Sequence, residues 1–168
     1  MNITINGMTC ACEKGEFLLA VARRNGIQIP TLCHHPALAG QGCCRVCLAE
    51  VDEGRGPKIV VSCVYPIQRE CRVETESERV CKDRGMVLAL LRKRAPDSQR
   101  IAALCRIYKA PELPRLSAAD AGKCILCGLC ARLARVLLEL CDLLLQRVPL
   151  LLQIGDPLAA LLGRGGDI

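Results

Sequence analysis

Cys33, Cys44, Cys47 and Cys63 stand in the spacing C-x10-C-x2-C-x15-C, and the stretch holding the first three reads TLCHHPALAGQGCCRVC. Thiolates are soft donors that suit zinc and iron–sulfur clusters. A C-x2-C pair delivers two of them from one tight turn. A glycine-bearing loop ahead of the pair can fold over an inorganic core and aim backbone N–H groups at its sulfides. Gly40 and Gly42 supply the backbone freedom that such a loop needs. The fourth thiol, Cys63, would arrive from a separate strand end and tie the loop to a sheet.

Three chemistries compete for these residues: a disulfide knot, a zinc site and an iron–sulfur centre. Fourteen cysteines among 168 residues is near the level of disulfide scaffolds. The opening MNITINGMTC, however, has neither the basic nor the apolar region of a secretory signal, so the expected setting is reducing and cytoplasmic. Zinc could use Cys44 and Cys47, but the next C-x2-C begins only at Cys124, far beyond finger spacing. A Rieske centre needs a histidine beside each cysteine pair, and the two histidines of the chain, His34 and His35, are adjacent. They are read as packing or hydrogen-bonding partners of the loop. Cys10, Cys12, Cys71 and Cys81 are read as small packing side chains.

The elements that must position the thiols follow from periodicity. Residues 2–6 alternate, Gly7 supplies a turn and 8–12 return, giving a hairpin. Phe17, Leu18, Val21 and Ala22 recur at helical spacing up to a stop at Gly26. Strands are expected at 47–51, 58–63 and 71–75, which makes a small mixed sheet wrapped around one helix. Beyond Ser77 the pattern turns helical: one helix carries Val80, Val87, Leu90 and Leu91 and ends at Pro96, and a second carries Ile101, Leu104, Cys105 and Tyr108. A third follows KCILCGLC and is expected to stop before Pro149.

The run MNITING…KGEFLLAVARRNGIQIPTLCHHPAL…GCCRVCLAEV…VVSCVYPI…VETESERV…RGMVLALL resembles the N-terminal ferredoxin-like domain of the large iron–sulfur subunit of NADH:quinone oxidoreductase. It is equally similar to diaphorase subunits of multimeric hydrogenases and formate dehydrogenases. The resemblance covers about residues 1–92. It implies an α+β chain: a β-grasp [2Fe–2S] ferredoxin-like domain over 1–78, followed by a small helical, cysteine-containing region. That region divides into a helical connector over 79–120 and a cluster segment with a leucine-rich tail over 121–168. The same match puts the [2Fe–2S] ligands at Cys33, Cys44, Cys47 and Cys63, with Cys43 as a neighbour at a small-residue position.

Cys124, Cys127 and Cys130 form a second constellation, C-x2-C-x2-C, the opening of the bacterial pattern for a [4Fe–4S] cluster. KCILCGLC resembles the segment that follows the first domain in the same family. The pattern departs at Ala134, where the next cysteine would fall. Cys105 is favoured as fourth ligand over a three-iron cluster, a ligand from a partner chain, or Cys141, which lies roughly 16 Å from Cys130 if one helix joins them. Where the family has a histidine and three cysteines for a further cluster, RKRAPDSQRIAALCRIYKAP has no histidine and one cysteine, so that cluster is expected to be missing.

The formal charge of +6 is spread along the chain, so nucleic acid is not the expected partner. No apolar run reaches membrane-spanning length. No nicotinamide or flavin fingerprint stands in the sequence. The expectation is an electron-carrying subunit of an oxidoreductase complex, with a flavin- and NADH-binding subunit, or a hydrogenase or formate dehydrogenase catalytic subunit, as partner. The leucine-rich tail is expected to dock on another subunit. The alternative is a redox-sensing or assembly module that carries the same cluster.

Overall fold

The computed structural model of the chain describes residues 1–114, 122 and 124–154. Parts of the expected connector (115–120) and of the expected cluster segment and tail (121, 123 and 155–168) lie outside the described residues. Two compact units are distinguished by their internal packing, Met1–Cys127 and Gly128–Ile168.

In the first unit, strands β1 (Asn2–Ile5) and β2 (Met8–Ala11) pair antiparallel across Asn6-Gly7. Both turn residues take positive φ, 49° and 80°, the conformation that matches a two-residue hairpin to the twist of its strands. Strands β3 (Leu48–Asp52), β4 (Pro57–Val61) and β5 (Arg72–Glu74) complete a sheet of order β2-β1-β5-β3-β4. Among the described strands only β1 and β5 run parallel. Helix α1 (Leu18–Arg24) buries Leu18, Leu19, Val21 and Ala22 in the core that Ile3, Ile5, Val51 and Val73 contribute from the sheet. Gly26, at φ 76°, follows its end. This is the expected β-grasp arrangement within an α+β chain.

A second core lies beside the first. Helix α2 (Glu78–Arg94) is capped by Ser77, whose Oγ accepts from the Val80 N–H at 3.2 Å. Helix α3 (Gln99–Ile107) is capped in the same way by Ser98. The two pack closely at Gly85, where a Cβ would stand 2.8 Å from the Tyr108 carbonyl oxygen. Leu88, Ala95, Ile101 and Cys105 from this helical pair enclose Cys33, Cys44 and Val46 from the cysteine loop. The helices expected as a connector therefore form one wall of the cysteine site.

The second unit contains helix α4 (Leu129–Ile154). It runs through Pro149, past the end expected from the sequence. Inside a helix proline keeps a compatible φ but removes one N–H donor and crowds the carbonyl four residues earlier. Leu137, Leu138, Leu140 and Leu143 on α4 are exposed. Among the described residues no helix is long and apolar enough to cross a membrane.

Candidate metal centre

The loop between α1 and β3 carries Cys33, Cys44 and Cys47, while Cys63 sits in a short 3-10 turn (Ser62–Val64) just after β4. All four thiols are buried, none more than 5% exposed, whereas Cys43 faces outward. They come as two pairs. Cys33 Sγ accepts from the Cys44 N–H at 3.4 Å. Cys63 and Cys47 are hydrogen-bonded through their sulfurs. Among the described residues no three cysteine, histidine or carboxylate side chains meet as they would around a single ion.

Backbone geometry sets the loop against the turn. A Cβ on Gly40 would lie 2.3 Å from the Cys63 carbonyl oxygen, so only glycine fits there. Gly42 and Arg45 take positive φ, 64° and 53°, which turns the chain tightly around the thiols. The Ser62 N–H and hydroxyl both donate to the Cys47 carbonyl, at 2.9 and 2.8 Å, and lock the two thiol-bearing segments together. The chain beyond Cys63 is held to the start of α1, where the Leu18 N–H donates to the Tyr65 carbonyl at 3.0 Å.

Electrostatics divide the thiols. Burial pushes the Cys33 thiol up, against the opposing N–H groups of Cys44 and Cys43. Within the second pair one proton is shared: hydrogen bonding from Cys63 pulls Cys47 down to about 6, and the same bond, with burial, pushes Cys63 well up. The Gly42 N–H works in the opposite direction on Cys63. The site thus supplies soft donors in a dry pocket, with backbone N–H groups turned toward the sulfurs that would carry negative charge.

One buried residue was not anticipated from the sequence. Arg84, on α2, is fully buried. Its Nε donates to the Val46 carbonyl at 3.0 Å and its Nη2 to the Leu48 carbonyl at 2.7 Å, one on each side of Cys47. Nη2 also reaches the Thr75 carbonyl at 2.9 Å, Nη1 pairs with the Glu76 carboxylate at 2.8 Å, and the Tyr108 ring covers the guanidinium at 4.6 Å. The signal was present in the register: Arg84 interrupts the apolar face formed by Val80, Leu88 and Leu91.

Comparison with known families matches residues 1–78 to the 2Fe-2S iron-sulfur cluster binding domain. That match spans 78 of the chain's 168 residues. The donor set and the close approach at Gly40 fit a compact iron–sulfur group. The chain is 36% identical over 96 residues to the NADH-ubiquinone oxidoreductase 78 kDa subunit of Candida albicans, covering 57% of this chain and 13% of that protein. It is 35% identical over 91 residues to the NADH-ubiquinone oxidoreductase 75 kDa subunit of Reclinomonas americana, covering 54% and 13%. The chain therefore spans 13% of the length of each of these curated relatives. Its fold resembles a chain in the crystal structure of an NAD+-reducing [NiFe]-hydrogenase in the H2-reduced state. There the TM-score is 0.65 at 25% identity, over 78% of this chain and 64% of the other.

Near the four thiols, His34 Nδ1 lies 3.0 Å from Arg23 Nη1, and Arg23 also donates to Thr31. His35 Nδ1 accepts from the Ala37 N–H at 3.2 Å. A largely apolar cavity of about 330 Å³ opens beside Cys63, bounded by Phe17, Leu19, Leu38 and Gly40 with Arg23 and His34 among its lining. Cys10 and Cys12 are buried packing residues, and none of the fourteen cysteines is in a disulfide.

The second constellation has local features of its own. The Leu126 N–H donates to Cys124 Sγ at 3.3 Å, with Leu126 at φ 55° and Gly128 at φ 67°. Cys127 is half-buried and packs against the apolar core that contains Cys33, Cys44 and Cys105. Cys105 is buried, and its thiol donates to the Leu88 carbonyl at 3.6 Å. Cys130 and Cys141 are both exposed on the unbroken helix α4. The helical rise between them amounts to roughly 16 Å, too far to share one cube.

Proposed function

We propose that this chain is an iron–sulfur electron-transfer module of a multi-subunit oxidoreductase of the NADH dehydrogenase, hydrogenase or formate dehydrogenase type. In this reading Cys33, Cys44, Cys47 and Cys63 hold a [2Fe–2S] cluster, which when bound supplies one-electron exchange. The observation that carries it is the burial of four thiols as two pairs inside the segment matched to the 2Fe-2S domain. Two pairs suit a two-iron core, one pair for each iron. The surrounding residues keep water from the sulfurs, and the N–H groups of Gly42, Cys43 and Cys44 stabilise thiolate charge.

From their spacing, Cys124, Cys127 and Cys130 are assigned to a [4Fe–4S] cluster, with Cys105 as its fourth ligand. Support for Cys105 comes from its burial in the same apolar core that Cys127 borders. The partner in this reading is a flavin- and NADH-binding subunit, or a hydrogenase or formate dehydrogenase catalytic subunit, in the cytoplasm. The similarity to NADH oxidoreductase subunits and to an NAD+-reducing hydrogenase supports that choice. The apolar side chains exposed along α4 are the surface for docking on such a subunit.

Two assays test this reading on anaerobically purified chain. Iron and acid-labile sulfide should match one [2Fe–2S] plus one [4Fe–4S] centre, and NADH should reduce the chain rapidly once a flavin subunit is added. A colourless, zinc-loaded protein without labile sulfide would overturn it.

A further inference from the structure

A buried guanidinium is expensive unless every face of it is answered. At Arg84 every face is. Three backbone carbonyls, one carboxylate and one aromatic ring surround it, and two of the carbonyls belong to the immediate neighbours of Cys47. An apolar side chain could have filled this position on α2, as Val80 and Leu88 do on the same buried face. Placing a permanent cation against the Cys47 backbone must do something that packing alone does not.

We propose that Arg84 is a positioning and tuning residue for the redox centre. It fixes the backbone on both sides of Cys47, and its buried positive charge makes the centre easier to reduce. The inference rests on the reading that Cys47 is a cluster ligand. Reduction adds one electron to the site, and a nearby cation in a low-dielectric surrounding stabilises the reduced state relative to the oxidised one. Glu76 opposes this effect. Its carboxylate is half exposed, with 49% of the side chain accessible, so water screens its negative charge more than it screens the guanidinium. The pair is thus electrically unbalanced, with the cation bonded to the backbone on both sides of Cys47 and drier than its carboxylate. Tyr108 holds both members, covering Arg84 with its ring and donating from its hydroxyl to the Glu76 carboxylate at 3.2 Å.

The test is a redox titration of the full chain, followed by paramagnetic resonance, on wild type, Arg84→Lys, Arg84→Gln and Glu76→Gln. Wild type must first give the [2Fe–2S] signal, and its absence refutes the functional reading itself. With that signal present, Arg84→Gln should hold its iron and sulfide but show a lower midpoint potential. Glu76→Gln should show a higher one, and Arg84→Lys should fall between wild type and Arg84→Gln. A purely structural role would shift thermal stability without giving opposite shifts of potential. Should Arg84→Gln fail to fold, Glu76→Gln carries the test alone. An unchanged or lower midpoint in Glu76→Gln, or an unchanged or higher one in Arg84→Gln, overturns the proposal.

Discussion

Gly40 lies so close to Cys63 that a single added Cβ would stand 2.3 Å from the Cys63 carbonyl oxygen, against backbone that cannot swing aside. The cysteine loop and the turn bearing the last thiol are thereby set at a separation that no side chain at position 40 can share. Gly40→Ala should force the loop off the turn at a cost of about 1–3 kcal/mol, the usual penalty of overpacking. Visible absorbance per chain should fall with it. Full cluster content at wild-type stability would show that the close approach is unimportant.

Gly85 plays the same part between the helices, where the nearest atom is the Tyr108 carbonyl oxygen at 2.8 Å. Gly85→Ala should gain helix propensity yet lower the thermal midpoint, because the clash of about 1–3 kcal/mol outweighs a propensity gain of about 1 kcal/mol. A raised midpoint would contradict the packing described for α2 and α3.

Cys71 is held up to about 11, mainly by burial and then by the nearby Glu53 charge. A thiol so raised is mostly protonated at neutral pH and a poor nucleophile. Timed labelling with iodoacetamide, read by mass spectrometry, should modify exposed Cys43 well before Cys71 at about pH 8. The Cys71 rate should keep rising with pH toward 11. Equal rates at the two positions would refute this assignment.

Glu53 has its carboxyl lowered from the ordinary 4.5 by the Tyr65 hydroxyl and then by Lys58. A lowered folded-state value means these bonds stabilise fully above the unfolded value and fade as pH falls through the folded one. The stability gap between wild type and Glu53→Gln in urea titrations should therefore be present at neutral pH and shrink as pH falls below the ordinary carboxylate value of 4.5. A gap that widened on acidification would have the wrong sign.

The gathering of the four thiols was legible because its information is local. Three of the cysteines, the C-x2-C turn and the two glycines lie within one loop, and Cys63 comes from elsewhere. The hairpin at Asn6-Gly7 and α1 were legible for the same reason, since period and turn residues are short-range signals. The parallel pairing of Thr4 with Arg72, and hence the strand order, was not, because it joins segments far apart in the chain. Arg84 was hidden by the same distance: its carbonyl partners lie 38 and 36 residues away. An arginine amid apolar helix positions signals burial, but only the fold discloses which backbone receives it. At Pro149 the local rule misled, because proline ends a helix by preference and not by necessity.

The most direct test of the account replaces Cys33, Cys44, Cys47 and Cys63 with serine, one at a time. The absorbance and the dithionite-reduced paramagnetic resonance spectrum of each full-length variant are then recorded. Oxygen in place of sulfur should shift or abolish the [2Fe–2S] spectrum in all four variants, while Cys43→Ser leaves it unaltered. A wild-type spectrum in any of the four would contradict the ligand set on which the electron-carrying role depends.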